Sequence, residues 1–174
     1  MKPDLPIMMV DDEEEILHAQ TVTLNMAGYD NILAIKDSRK VIDILEDNRV
    51  EVILLDLSMP HASGEALLNT VKENYPYIPI IIITATDYVD TAVSCMKAGA
   101  LDYMVKPIEK NRLVSGIQNA IELRSLQRRY EDLKKHLMQD VLEQPEVLST
   151  IITQNRKMRG IFQYLETVAN TDLT

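Results

Sequence analysis

The sequence predicts a doubly wound α/β fold, a five-stranded parallel sheet with helices on both faces, extended by a long C-terminal helix. Three observations predict it. Residues 5–108 alternate short apolar runs with amphipathic segments of helical period. Two of the runs, Val52–Leu55 and Ile80–Thr84, show no polar alternation, as befits strands buried on both faces. Ionisable or hydroxyl residues stand at the ends of four of the five runs, on the edge where parallel sheets carry their working groups.

The first run, Leu5–Val10, ends on Asp11 and Asp12. Residues Ile16, Leu17, Leu24 and Ala27 then share one helical face, and Gly28 supplies a left-handed stop. The second run is Asn31–Ile35, followed by a helix facing inward through Val41, Ile42 and Leu45. The third, Val52–Leu55, ends on Asp56, and Ala66, Leu67 and Val71 mark the face of the helix after it. The fourth, Ile80–Thr84, precedes a helix with Asp87 as its expected N-cap and Ala98-Gly99 as its end. The fifth, Leu101–Val105, leads into Lys106. Beyond Glu109 a last helix packs through Leu113, Ile117, Ala120 and Ile121.

Composition narrows the function classes. A chain of 174 residues holds one well-packed domain plus an appendage. Its net charge of −9 is uneven: residues 1–108 carry 18 acids against 8 bases, a balance of −10. Such a surface repels phosphate backbones and disfavours nucleic-acid binding by these residues. Cys95 is the single cysteine, which excludes an internal disulfide framework and fits a reducing cytoplasm. The longest apolar run, Ile78–Ile83, is too short to cross a membrane, and the acidic N-terminal stretch is wrong for a signal peptide. Cys95 reads as a half-buried helix residue, and His18, His61 and His136 are unclustered.

The strand ends bring together Asp11, Asp12, Asp56, Thr84 and Lys106. Singly, each has a plain explanation: acids after strands cap helices and suit helix dipoles, and lysines are commonly solvated. Five such residues on one edge argue for a site. Two unit charges about 4 Å apart repel by roughly 4 kcal/mol at an effective dielectric near 20, so three carboxylates need a cation. All-oxygen donors with room for water suit Mg²⁺. Asp56 could then act as a nucleophile toward a phosphoryl donor and form an acyl phosphate, with Lys106 and Thr84 binding phosphoryl oxygens.

The segments "IMMVDDEEE", "VILLDLSMPHASG", "IIIITAT" and "GALDYMVKP" together resemble the signature segments of response-regulator receiver domains, in order and interval, over about residues 4–122. The resemblance implies the flavodoxin-like strand order 2-1-3-4-5. It implies that Asp56 accepts a phosphoryl group from a sensor histidine kinase. Asp12, Asp56 and the backbone carbonyl of Ser58 would hold Mg²⁺ directly, with Asp11 acting through water. Thr84 would be the switch hydroxyl, Tyr103 the aromatic switch, and Lys106 the phosphate partner before a cis Pro107. Ser58 and Thr86 flank the phosphate in the family pattern.

From residue 123 a second apolar stripe takes over: Leu123, Leu126, Tyr130, Leu133 and Leu137, a heptad seam flanked by charges. Residues 123–144 are read as a dimerising coiled-coil linker that continues the fifth helix, in preference to a single helix folded back on its domain. Residues 145–174 resemble the start of the AAA+ domain of sigma-54-dependent activators, without the phosphate-binding loop, so these residues are not expected to hydrolyse ATP. The expected function is a cytoplasmic regulatory phosphoacceptor rather than an enzyme. It would form a homodimer through the linker and the face of the fourth helix, fifth strand and fifth helix. It would reach sigma-54 RNA polymerase and DNA only through domains beyond these residues. Two alternatives remain: a receiver driving another output, and an aspartyl phosphohydrolase. The second wants an acid two residues after the nucleophile, where Ser58 stands.

Overall fold

In the computed structural model, residues 3, 5–60 and 63–138 are described. The strands are β1 (Ile7–Val10), β2 (Ile32–Ile35), β3 (Val52–Leu55), β4 (Ile80–Thr84) and β5 (Asp102–Val105). They alternate with α1 (Glu14–Met26), α2 (Val41–Asp47), α3 (Gly64–Asn74), α4 (Val89–Lys97) and α5 (Lys110–Met138), with a 3₁₀ turn at Ser38–Lys40 ahead of α2. All four strand pairings are parallel and the order is β2-β1-β3-β4-β5. The chain steps outward from β1 to one edge and then back across to the other, which puts the switch point between β1 and β3.

Strand residues alternate between two cores. Ile7, Met9, Val52, Leu54, Ile81, Ile83 and Met104 pack with Leu17 and Leu24 of α1 and Leu113, Ile117, Ala120 and Ile121 of α5. Met8, Val10, Ile53, Leu55, Ile80 and Ile82 pack with side chains of α2, α3 and α4. Burial on both faces is why β3 and β4 read as unbroken apolar runs. Gly28 and Gly99 have φ of 92° and 95°, the left-handed geometry that ends α1 and α4.

Several local expectations are corrected. The N-cap of α4 is Tyr88, not Asp87, and it makes no side-chain cap bond. Ala66 faces solvent, while Leu68 is buried beside Leu67 and Val71 on α3. Cys95 is fully rather than half buried, and burial pushes its thiol up, away from the reactive thiolate. One compact unit runs from Met1 to Gln127. Arg124, buried against Tyr77, keeps α5 attached past Ile121. Residues 139–144 of the expected linker and all of 145–174 lie outside the described residues, as does the side chain of Leu137. No helix among the described residues is long and apolar enough to cross a membrane.

Candidate functional site

Three backbone bonds at the strand ends build the site. The N–H of Asp11 donates to the Ile35 carbonyl at 3.1 Å, that of Asp56 to Val10 at 2.9 Å, and that of Lys106 to Thr84 at 2.8 Å. Each bond extends a parallel ladder one residue past its strand. Asp11, Asp56 and Lys106 are thereby held at the carboxyl edge by sheet hydrogen bonding rather than by loop packing.

Asp11, Asp12 and Asp56 each present a carboxylate oxygen, and the three oxygens lie within 4.8 Å of one another. Asp11 and Asp56 are buried, and Asp12 is half-buried. The Lys106 ammonium donates to Asp11 Oδ2 at 2.7 Å and stands 3.6 Å from Asp56 Oδ1 and 4.0 Å from Glu13 Oε1. Asp11 is aimed by its other oxygen, which accepts the N–H of Glu13 at 3.0 Å. Burial pushes the carboxyl of Asp56 above its ordinary range, Lys106 partly offsets that, and the Asp11 charge adds to it. Asp56 Oδ1 is buried without a hydrogen-bond partner among the described residues. A buried acceptor left open, inside an all-oxygen donor set of three acids, fits a hard divalent cation such as Mg²⁺.

The second half of the site holds the hydroxyls of Ser58, Thr84 and Tyr103. The Thr84 hydroxyl lies 3.3 Å from Ser58 Oγ and accepts the N–H of Thr86 at 3.3 Å. The Tyr103 hydroxyl donates to the Thr86 carbonyl at 2.6 Å. Thr86 is thus held from both sides, by the strand-end hydroxyl and by the ring of β5. The Lys106-Pro107 peptide bond is cis. Outside this cluster, Leu123, Leu126, Tyr130 and Leu133 are exposed along α5.

The sequence matches the response regulator receiver domain over residues 7–118. The chain belongs to the response-regulator receiver family. It is 32% identical over 136 residues to a putative NtrX-like response regulator of Rickettsia felis, covering 77% of this chain and 28% of that protein. It is 37% identical over 113 residues to the regulatory protein LuxO of Vibrio vulnificus, covering 65% and 25%. The chain therefore spans less than a third of the length of these relatives. Among solved structures it is similar to the beryllofluoride-activated NtrC4 receiver domain dimer, with 33% identity and a TM-score of 0.65, covering 68% of this chain and 98% of that one. It is also similar to the signal receiver domain of a putative LuxO repressor from Vibrio parahaemolyticus, with 27% identity and a TM-score of 0.69, covering 75% and 98%.

Receiver domains are the regulatory phosphoacceptor modules of two-component response regulators; they bind Mg²⁺ at an acidic pocket and interact with histidine kinases. In this receiver domain the residues singled out from sequence at the strand ends come together at one edge. Two residues were missed. Glu13 reaches toward Lys106 but reads in "DDEEE" as part of a helix N-terminus. Arg124 is buried, although its charge places it with the solvated flank of the linker. Its spacing of three from Ile121 on the inward stripe was the available signal.

Proposed function

We propose that this receiver domain accepts a phosphoryl group on Asp56 from a sensor histidine kinase, and that the event alters a dimer formed through α5. One observation carries the reading: a buried carboxylate with an open oxygen, Asp56, sits within ion-pair range of Lys106 and beside Asp11 and Asp12. Asp12, Asp56 and the Ser58 carbonyl would hold Mg²⁺ directly, with Asp11 acting through water. Bound there, the ion supplies charge neutralisation for an anionic donor. An Asp56 carboxylate oxygen forms the bond to phosphorus as the phosphorus–nitrogen bond of a phosphohistidine breaks, and the bonding pair leaves with the imidazole. Lys106 binds the new phosphoryl oxygens and Thr84 donates its hydroxyl to one of them. Thr84 then leaves Ser58 and Thr86, and Tyr103 follows through its bond to Thr86.

The output we propose is a sigma-54-dependent AAA+ ATPase, in keeping with the resemblance of residues 145–174 and with relatives more than twice the length of this chain. Sigma-54 RNA polymerase and DNA would be reached through that larger protein, in the cytoplasm. The test is incubation with Mg²⁺ and acetyl phosphate. The protein should gain one phosphoryl group on Asp56, and Asp56→Asn should abolish it. Phosphate recovered on a serine or histidine sinks the assignment.

A further inference from the structure

Arg124 is a buried cation that the phosphoacceptor chemistry does not use. It is 9% exposed and follows Ile121 on the face of α5 that packs on the sheet. Its guanidinium lies over the ring of Tyr77, 4.3 Å from the centroid, and Nη1 donates to the Tyr77 carbonyl at 2.9 Å. The Tyr77 ring in turn meets Tyr75 edge-on, at 90° and 6.4 Å between centroids.

The segment that Arg124 grips is itself well tied. The Tyr75 N–H donates to Val71 of α3 at 2.7 Å, the Ile78 N–H to Tyr75 at 3.0 Å, and Lys72 Nζ to the Ile78 carbonyl at 2.6 Å. Two residues after Ile78 the chain enters β4, the strand that ends on Thr84. A buried guanidinium is costly to desolvate, and an apolar side chain at this position would pack without that cost. What arginine adds is direction: a planar fork that stacks and donates at once fixes where the helix sits on the loop.

We infer that Arg124 is a positioning residue for the output helix, locking α5 to the loop between α3 and β4 by stacking on Tyr77 and bonding its carbonyl. The lock falls just ahead of the exposed Leu126, Tyr130 and Leu133, where the inward stripe gives way to the outward one. Its consequence for signalling rests on the proposed role of α5 as a linker, whereas the lock itself does not.

Amide hydrogen exchange on the whole 174-residue chain tests it. Arg124→Met keeps an unbranched apolar stem and removes the guanidinium with its charge and donors; Tyr77→Ala keeps the carbonyl bond and removes the stack; Tyr77→Phe keeps both. The expected result is roughly tenfold faster exchange of amides 121–130 in Arg124→Met and Tyr77→Ala, parental exchange in Tyr77→Phe, and unchanged protection in β1 and β3. Parental exchange at 121–130 in both disruptive variants overturns the inference. So does acceleration spread evenly through the sheet, which marks Arg124 as ordinary packing. Sedimentation of the parent separates the two readings: a monomer at all concentrations removes the dimeric linker, and the exchange result still decides the lock.

Discussion

Lys106 and Asp11 form a 2.7 Å ion pair between residues 95 apart in sequence, and both side chains are largely shielded from water. Lys106 is therefore the internal counter-ion of the acidic cluster. On the proposed reading, a divalent cation held by Asp12 and Asp56, with Asp11 acting through water, would compete with it for Asp11. Lys106→Met should bind Mg²⁺ as tightly as the parent or a few-fold more tightly, because a competing cation is gone. Phosphorylation by acetyl phosphate should slow about tenfold or more, because no ammonium meets the incoming phosphoryl group. Titration calorimetry and phosphorylation rates check the two halves, and weakened Mg²⁺ binding in Lys106→Met refutes this account.

Asp56 gives a stability prediction with a definite sign. Burial raises its carboxyl above the ordinary 3.8, the Lys106 charge opposes that and the Asp11 charge reinforces it. A folded value above the unfolded one means that the native state favours the proton. Its contribution is fully present below the unfolded value and is lost as pH rises through the folded one. Without Mg²⁺ at pH 7, the buried charge is a net cost. Asp56→Asn should then stabilise the domain by about 1 kcal/mol, a few degrees in Tm, with Lys106 still paired to Asp11. The gain should shrink as pH is lowered toward 4. A lower Tm for Asp56→Asn at pH 7 contradicts the prediction.

Two glycines separate backbone from side-chain crowding. A Cβ on Gly64 would overlap the Asp56 carbonyl oxygen and lie 2.5 Å from Leu57 Cα, both backbone atoms. One on Gly116 would overlap only the mobile end of Met104 at closest approach. Neither residue has positive φ, so space alone decides. Gly64→Ala should cost about 3 kcal/mol and weaken Mg²⁺ binding by displacing Asp56 and Ser58. Gly116→Ala should stay within about 1 kcal/mol, since helix propensity offsets the repacking. Denaturant melts rank the pair, and equal costs would show that the approach to Asp56 is not the constraint.

The exposed stripe on α5 predicts association. Leu126 and Leu133 are 52% and 62% exposed, at heptad spacing with Tyr130 between them. Changing both leucines to glutamate should shift the unphosphorylated protein toward monomer in sedimentation velocity. A double variant as dimeric as its parent removes α5 as the dimerisation element.

Much of this molecule is legible in its sequence. Strand and helix periods differ, so Val52–Leu55 and Ile80–Thr84 identify themselves as doubly buried strands, and Leu113, Ile117, Ala120 and Ile121 as one face of a helix. The site residues follow from the fold rule, because Asp11, Asp56, Thr84 and Lys106 end or follow strands whose carboxyl ends share one edge. Tyr88 taking the N-cap in place of Asp87 lay below that resolution, since either residue satisfies the same period.

The tertiary structure alone decided the partners. Lys106 could have faced any of the three aspartates, and it pairs with Asp11 while Asp56 keeps an open oxygen. Arg124 carries a charge that locally argues for solvent, yet it is buried, because the ring and carbonyl of Tyr77, 47 residues away in sequence, meet it where α5 passes. Periodicity reports which face of an element turns inward. Which atom a long side chain meets there depends on the register and crossing of elements distant in the chain, and no local pattern encodes it.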